Sequence, residues 1–316
     1  MEQSHLWDRH LTEHEYLAYL HAQYGLHDHV TYKILHCTYN TVLRWNTASF
    51  VDLWRIVTNP TYRHIIFEDG VSHFFASPLN AMLLDYHRPM VFIHHTNFLD
   101  IIPRIVCPLA TQVASRVFNR PSVYHVLYSD SIWPSVSPNV ATLAIHGIRD
   151  AFFVDALPSG NSVYFMGKID DAHKNIRSIL HATRRIADLH VYGTGVDEPM
   201  LGEYHHCIYH GTSANPVRDL AAHKIYVSYS AKEGLCTTTM EALAMNKYAL
   251  LLDCACNRPF KGMTNAYFFN TDDELIESLR MLMQQPPRME RYKSRLRWKH
   301  AHATFYKHLR SIEVGS

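Results

Sequence analysis

The sequence predicts an α/β protein with parallel sheets, built from two Rossmann-like domains. Three observations carry this. Short apolar runs of strand length alternate with stretches of helical period along the whole 316 residues, which is the pattern of a parallel sheet with crossover helices. The strand-like runs number about ten, more than one doubly wound sheet of ordinary size holds. The turn-rich stretch Ala156-Leu157-Pro158-Ser159-Gly160-Asn161-Ser162 falls near the middle and reads as a linker. The expected organisation is an N-terminal domain over 1–155, a second domain over 156–296 and a closing helix over 297–316.

In the first half, Tyr32–Cys37, Ile65–Phe67, Met90–His94 and Val123–Tyr128 read as buried strands. In the second half, Val163–Met166, Leu189–Tyr192, Cys207–Tyr209, Ile225–Ser228 and Ala249–Leu252 read likewise. Ile176, Ile179 and Leu180 share one helical face, as do Leu275, Leu279 and Leu282. Thr271 with Glu274 is a capping box that starts the second of these helices. Arg288–Arg310 holds eight Lys or Arg against one acid, Glu290. Trp298, Phe305 and Leu309 lie on roughly one face there, which fits a closing helix packed on its domain or a helix lying on a membrane surface.

Composition narrows the function. Hydrophobic residues make up 47%, ample for a core. Lys and Arg total 30 against 29 Asp and Glu, so there is no basic footprint for nucleic acid. No run of eighteen apolar residues spans a bilayer, and Met1–Trp7 has no apolar stretch of the kind a secretory signal needs. Six Cys without a Cys-x-x-Cys pair fit a reducing compartment. The 24 His could add positive charge as pH falls. Of 12 Gly, only Gly25 and Gly70 precede Gly147. A dinucleotide fingerprint and a P-loop are absent, and Gly193-Thr194-Gly195 is a weak signal.

The most informative segment runs from Glu233 to Lys247: Glu-Gly-Leu-Cys-Thr-Thr-Thr-Met-Glu-Ala-Leu-Ala-Met-Asn-Lys. It follows a strand and passes through a short loop into strong helix formers. Free amides at such a helix start, around Leu235, Cys236 and Thr237, receive anions, and the helix dipole helps. Glu233 lies in the loop and Glu241 in the helix, so the two carboxylates can reach different hydroxyls of one extended ligand. On spacing alone they are equally two surface glutamates flanking a capped helix. Lys168 at a strand end and Lys174 six residues on, at an expected helix start, could neutralise a diphosphate, or simply be solvated lysines.

Other clusters read more plainly. His205, His206, Cys207 and His210 have no standard zinc spacing. Cys254-Ala-Cys256 could be a redox pair, and reads more simply as two unpaired cysteines pointing the same way along a strand. Asp100–Arg120, apolar with Pro103 and Arg104, reads as a buried helix or as the lining of a groove for a lipid.

Segment 233–247 resembles the Glu-x7-Glu signature of retaining GT-B glycosyltransferases, and its wording is similar to the digalactosyldiacylglycerol synthases. Collinear blocks agree: His95-Thr-Asn-Phe-Leu-Asp100, Ile145-His-Gly-Ile148, Tyr164-Phe-Met-Gly-Lys168 and Val191-Tyr-Gly-Thr-Gly195. The resemblance runs from about residue 15 to 310. It implies a GT-B fold with two Rossmann-like domains facing a cleft. Glu233 would contact the donor hexose, and the amides of Gly234, Leu235, Cys236 and Thr237 would hold sugar and diphosphate. Glu241 would bind ribose, Lys168 and Lys174 the β-phosphate, and His95 would sit near the reacting sugar. Hexose, expected to be galactose, would pass from UDP with retention to a galactolipid such as monogalactosyldiacylglycerol, with no metal ion or other cofactor. No Asp-x-Asp motif stands in the sequence. Asp170-Asp171 and Asp272-Asp273 are adjacent pairs.

The resemblance also implies a peripheral place on a membrane such as the plastid envelope, a glycolipid partner and no nucleic acid. In the acceptor-side domain no strand and Gly/Thr loop match the family's opening, so a shortened N-terminal domain is expected. Asn246 stands where the family has Gly, a mild change because Asn tolerates a left-handed helix end. Two other readings stay open: a GT-B enzyme with another donor or acceptor, and an inactive relative serving as a nucleotide-sugar-binding or scaffold module.

Overall fold

The computed structural model describes residues 146–301 continuously and, elsewhere, residues 54, 58, 65–68, 90–94, 120, 122–128, 140–142, 303–305 and 307. The chain divides into two compact units, one taking in Ile145–Ala301 and the other the strands of the first half. Tyr32–Cys37, His95 and the block around it, and most of Asp100–Arg120 lie outside the described residues.

In the first-half unit, β1 (Ile65–Glu68), β2 (Met90–His94), β3 (Val123–Leu127) and β4 (Val140–Thr142) form a parallel sheet in that order. Met90, Val91, Phe92, Val123 and Val126 are wholly buried. A strand apolar at successive positions is one covered on both faces, as parallel sheets are. β4 has no counterpart among the expected strands, because three residues, Val-Ala-Thr, are too few to show a period.

The second unit is a six-stranded parallel sheet of β5 (Val163–Met166), β6 (Leu189–Tyr192), β7 (Cys207–Gly211), β8 (Ile225–Ser228), β9 (Tyr248–Leu252) and β10 (Ala266–Phe269). Its spatial order is β10-β9-β8-β5-β6-β7. The chain winds outward from β5 to β7, returns to the centre at β8 and winds outward the other way. This is the Rossmann order, with its reversal between β5 and β8, and ligands of such sheets bind beyond the carboxyl ends of the strands at that reversal. β5 pairs with β8 only through Val163 with Ile225 and Tyr164 with Tyr226.

The helices are α1 (Asp171–Lys174), α2 (Ile176–Thr183), α3 (Pro216–Asp219), α4 (Thr237–Ala244) and α5 (Asp272–Gln284). α2 and α5 form as the spacing predicts, and Ile176, Ile179, Leu180, Leu275, Leu279 and Leu282 are all fully buried. They share one core with Val163, Phe165, Val191, Val227 and Leu250. Each such side chain contributes roughly 1.5–3 kcal/mol relative to exposure. Thr271 Oγ1 accepts from the Glu274 amide at 3.2 Å. The Glu274 carboxylate reaches back one residue further than a standard box, to the Asn270 amide at 2.6 Å. The alternate positions Tyr164, Tyr226 and Tyr192 face the opposite side of the sheet, where Tyr164 lies against Tyr226 and His223, each with ring centroids 5.4 Å away.

Within the block Ile145-His-Gly-Ile148, the described residues 146–148 anchor the C-terminal segment. Ile148 bridges to Arg297, and His146 stacks on Trp298 with ring centroids 5.8 Å apart. A Cβ on Gly147 would lie 2.3 Å from the Trp298 backbone, so only glycine admits the chain there. Residues 298–301 are helical. No helix among the described residues is long and apolar enough to cross a membrane.

Candidate active site

The loops that follow β5 and β8 meet at the strand-order reversal. After β5 the chain passes Gly167 and Lys168 beside the loop that follows β6. Gly167 N donates to Tyr192 O at 3.0 Å, and Ile169 N donates to Thr194 O at 2.9 Å. A Cβ on Gly193 would lie 1.8 Å from Gly167 O, and one on Gly195 would lie 2.0 Å from Ile169 O. Gly193-Thr194-Gly195 is therefore a close-packing device that seats the β5 loop, not a phosphate cradle.

α1 ends at Lys174 because Asn175 takes the left-handed conformation, with φ 48° and ψ 44°. Asn tolerates that region better than most side chains. Its amide donates to Tyr229 O at 3.3 Å, at the exit of β8. The Tyr229 hydroxyl in turn donates to Asp272 Oδ1 at 2.6 Å, and burial pushes its pKa up to about 12. Lys174 thus closes α1 instead of opening a helix, and its ammonium group lies against the Glu233 carboxylate as an ion pair. Their side chains keep 21% and 17% of their exposure, so the pair is shielded but reachable.

Lys168 is a different case. Its side chain is 66% exposed, 3.5 Å from Asp170 Oδ2, and no recorded contact joins it to Lys174 or Glu233. Screening leaves such a surface pair worth little.

Beyond Glu233 the loop turns inward, and Gly234, Leu235 and Cys236 are buried. Cys236 is the N-cap of α4 and makes no side-chain capping bond. The first helical bond runs from Met240 N to Cys236 O at 3.4 Å. Among the described residues no backbone acceptor is recorded for the amides of Gly234, Leu235 and Cys236. Thr239, in the first turn, is fully buried, and its hydroxyl has no hydrogen-bond partner. The Tyr164 hydroxyl on β5 is in the same condition. Buried polar groups are nearly always paired, so two orphans beside one helix start are exceptional. A helix with unfilled amides presents a partial positive charge there.

Glu241 sits one helical turn and more further on, 5% exposed. Burial raises its pKa to about 7. Glu233 and Glu241 thus differ: the first is paired with a cation at the loop's edge, the second is a buried carboxyl on the helix.

The rest of the motif closes α4. Asn246 adopts a left-handed φ of 60°. Asn246 N donates to Leu243 O at 3.0 Å, and Lys247 N donates to Ala242 O at 2.9 Å, the paired bonds of a Schellman motif. The Asn246 side chain donates to Val154 O and Ala156 O at 2.9 and 3.0 Å and accepts from Glu290 N at 3.1 Å. A glycine at this position would keep the turn but make none of these bonds. Lys247 is 1% exposed, donates to Ala221 O at 2.7 Å, and is pushed down to a pKa of about 8 by burial.

Three groups contribute without a sequence signal that singles them out: Asn175, Tyr164 and Thr239. Among the described residues no cluster of three His, Cys, Asp or Glu side chains is arranged to hold a metal ion. His206 bonds Leu180 O at 2.9 Å and His210 bonds His190 at 2.9 Å, so the histidines around Cys207 serve separate contacts. Cys254 and Cys256 are not side by side on a strand. They open a turn after β9, with their sulfurs 3.0 Å apart, because Cys254 is the extended N-cap of a 3-10 helix over Ala255–Phe260.

Two parallel Rossmann-type sheets with this site at the reversal define the GT-B glycosyltransferase fold. Anabaena HepE, solved with UDP and glucose, superposes with a TM-score of 0.62 at 13% identity, covering 82% of this chain and 81% of its own. The lipopolysaccharide outer core galactosyltransferase WaaB superposes with 0.60 at 16% identity, covering 84% and 80%. In sequence the chain resembles the digalactosyldiacylglycerol synthases. The chloroplastic digalactosyldiacylglycerol synthase 2 of Arabidopsis thaliana is 24% identical over 244 residues, 69% of this chain and 52% of that protein. The chain thus spans about half the length of this curated relative. No protein-family model matches it.

Proposed function

We propose that the chain is a retaining, UDP-hexose-dependent glycosyltransferase that moves galactose onto a galactolipid such as monogalactosyldiacylglycerol at a membrane surface. The observation that carries the reading is the Lys174–Glu233 pair set, at the strand-order reversal, beside a loop whose Gly234, Leu235 and Cys236 amides have no backbone acceptor among the described residues and a helix whose Thr239 hydroxyl is buried without a partner. The sequence resemblance to digalactosyldiacylglycerol synthases supports the lipid acceptor, and structural neighbours solved with UDP support the donor.

The chemistry follows from charge. A UDP-sugar brings about two negative charges on its diphosphate. Those charges compete with Glu233 for Lys174 and fill the amides of Gly234 through Thr237. Glu233, released from the lysine, accepts from hydroxyls of the hexose, and Glu241 accepts from the ribose. Breaking the sugar–phosphate bond puts positive character on the sugar and negative charge on UDP. Lys174 and the helix terminus stabilise the second, and Lys168 adds long-range attraction. The departing phosphate oxygen takes the proton of the acceptor hydroxyl on the same face, which needs no strong protein base. His95 belongs to the same proposal as a group near the reacting sugar.

The test is incubation with UDP-galactose and monogalactosyldiacylglycerol. UDP and digalactolipid with retained anomeric configuration are expected. UDP binding without transfer would establish a nucleotide-sugar-binding module instead, and turnover with UDP-glucose or a soluble glycan alone would reassign donor or acceptor.

A further inference from the structure

Cys254 and Cys256 play no part in donor binding as described above, yet they touch the loop that carries it. Their sulfurs lie 3.0 Å apart. Cys254 is half-buried and Cys256 is buried, so one thiol is open to an attacking molecule and the other is held behind it. Both sulfurs approach the Ser230 carbonyl, at 3.5 and 3.7 Å. Ser230 is 2% exposed, and among the described residues no other donor to its carbonyl is recorded. The Asn257 amide donates to Cys254 Sγ at 3.5 Å and to Leu252 O at 2.9 Å, fixing the turn. Hydrogen bonding from Cys256 draws the Cys254 thiol down to a pKa of about 7 and drives Cys256 upward.

We propose that Cys254 and Cys256 form a redox-active dithiol that a small-molecule or protein disulfide converts to an intrachain disulfide, and that this conversion loosens the Ser230–Cys236 loop. The Cys254 thiolate attacks one sulfur of the incoming disulfide, forming a mixed disulfide and releasing one thiolate. Cys256 loses its proton to solvent and attacks Cys254 Sγ, and the second thiol leaves. The protein gives up two electrons and two protons, and the disulfide becomes two thiols. The reaction removes the thiol hydrogens that the two sulfurs share with each other and with Ser230 O. The Ser230 carbonyl, buried three residues before Glu233, then has no thiol donor, and a buried acceptor without a partner is costly. The sulfur separation exceeds a disulfide bond by about 1 Å, which side-chain rotation supplies. A loop of one intervening residue gives a strained bond, and strained disulfides are the readily reduced, regulatory ones.

The experiment equilibrates the full chain with reduced and oxidised glutathione mixtures, traps the thiols by alkylation and maps the peptides. Loss of two alkylatable thiols, both in the 254–256 peptide, is expected, with Cys256→Ser stopping at a glutathione adduct on Cys254. Hydrogen exchange over 230–236 should quicken in the oxidised wild-type protein. No disulfide at any ratio, or a Cys236–Cys256 bridge in its place, overturns the dithiol. A 254–256 disulfide with unchanged exchange overturns its coupling to the loop. Weaker UDP binding on oxidation is a further expectation that rests on the proposed function. If the reduced protein binds no UDP, that reading fails while the dithiol and exchange results stand.

Discussion

The two ends of α4 are built in opposite ways. The C-terminal end is tied down by several bonds. Asn246 turns left-handed, two Schellman bonds close the last carbonyls, the Asn246 side chain joins three backbone segments, and Lys247 is sealed onto Ala221 O. At the N-terminal end Cys236 caps nothing, Thr239 lacks a partner, and the nearby charge, Glu233, is held by a lysine from another element. One continuous segment of sequence therefore does two jobs. Its last residues stabilise, and its first residues, on the proposed function, meet the donor. A segment recognised as a single signature is not uniformly a binding site.

Exchanging the roles of the two ends should break this contrast. The largest effect is expected from Glu233→Gln, which keeps shape and removes the charge. Hexose transfer should fall about 100-fold or more while the melting temperature holds, as read by product assay beside calorimetry. Asn246→Val acts at the other end. A β-branched residue in the left-handed region, with the buried side-chain bonds lost, should cost about 2–4 kcal/mol of stability. The folded fraction should still bind UDP with unchanged affinity, a split that denaturant titration with and without UDP reads.

Glu241 sharpens the comparison because it serves both jobs. Its folded-state pKa of about 7 lies above the ordinary 4.5. Between those values the folded protein keeps a proton that the unfolded chain has released. Its contribution therefore falls as pH rises through that window and is level above it. Glu241→Gln should remove this slope and stabilise the protein at pH 8 by roughly 1–3 kcal/mol, while weakening UDP binding. Unfolding curves of both proteins from pH 4 to 8 check the sign. Lys168→Ala, at an exposed lysine, is the smallest: a loss of about threefold or less in donor affinity, shrinking further at high salt.

How much of this was legible in the sequence follows the same division. The strands β5 to β9 show as short apolar runs, the faces of α2 and α5 in helical spacing, and the position of Glu233 before a helix and Glu241 within it in the helix formers that follow the loop. β10 has no counterpart among the expected strands, although Ala266-Tyr-Phe-Phe269 is an apolar run like that of β5. The neighbours of each element were not legible. That β5 and β8 lie side by side depends on the winding of the whole sheet, so the Lys174–Glu233 pair, 59 residues apart, is a tertiary fact. Gly193-Thr194-Gly195 is only a weak signal in the sequence because its constraint, the backbone of Gly167 to Ile169, belongs to the loop of another strand. The pairing of Cys254 with Cys256 is open in the sequence and decided only by the turn, which begins where a strand reading would keep both side chains parallel and apart.

The contrast between the ends of α4 rests on whether the open end takes a diphosphate, and calorimetric titration with UDP measures that directly. Saturable binding by the wild-type protein is expected, weakened about 10-fold or more in Lys174→Gln and unchanged per folded molecule in Asn246→Val. No heat and no thermal stabilisation with millimolar UDP, or equal affinity in Lys174→Gln, would contradict it.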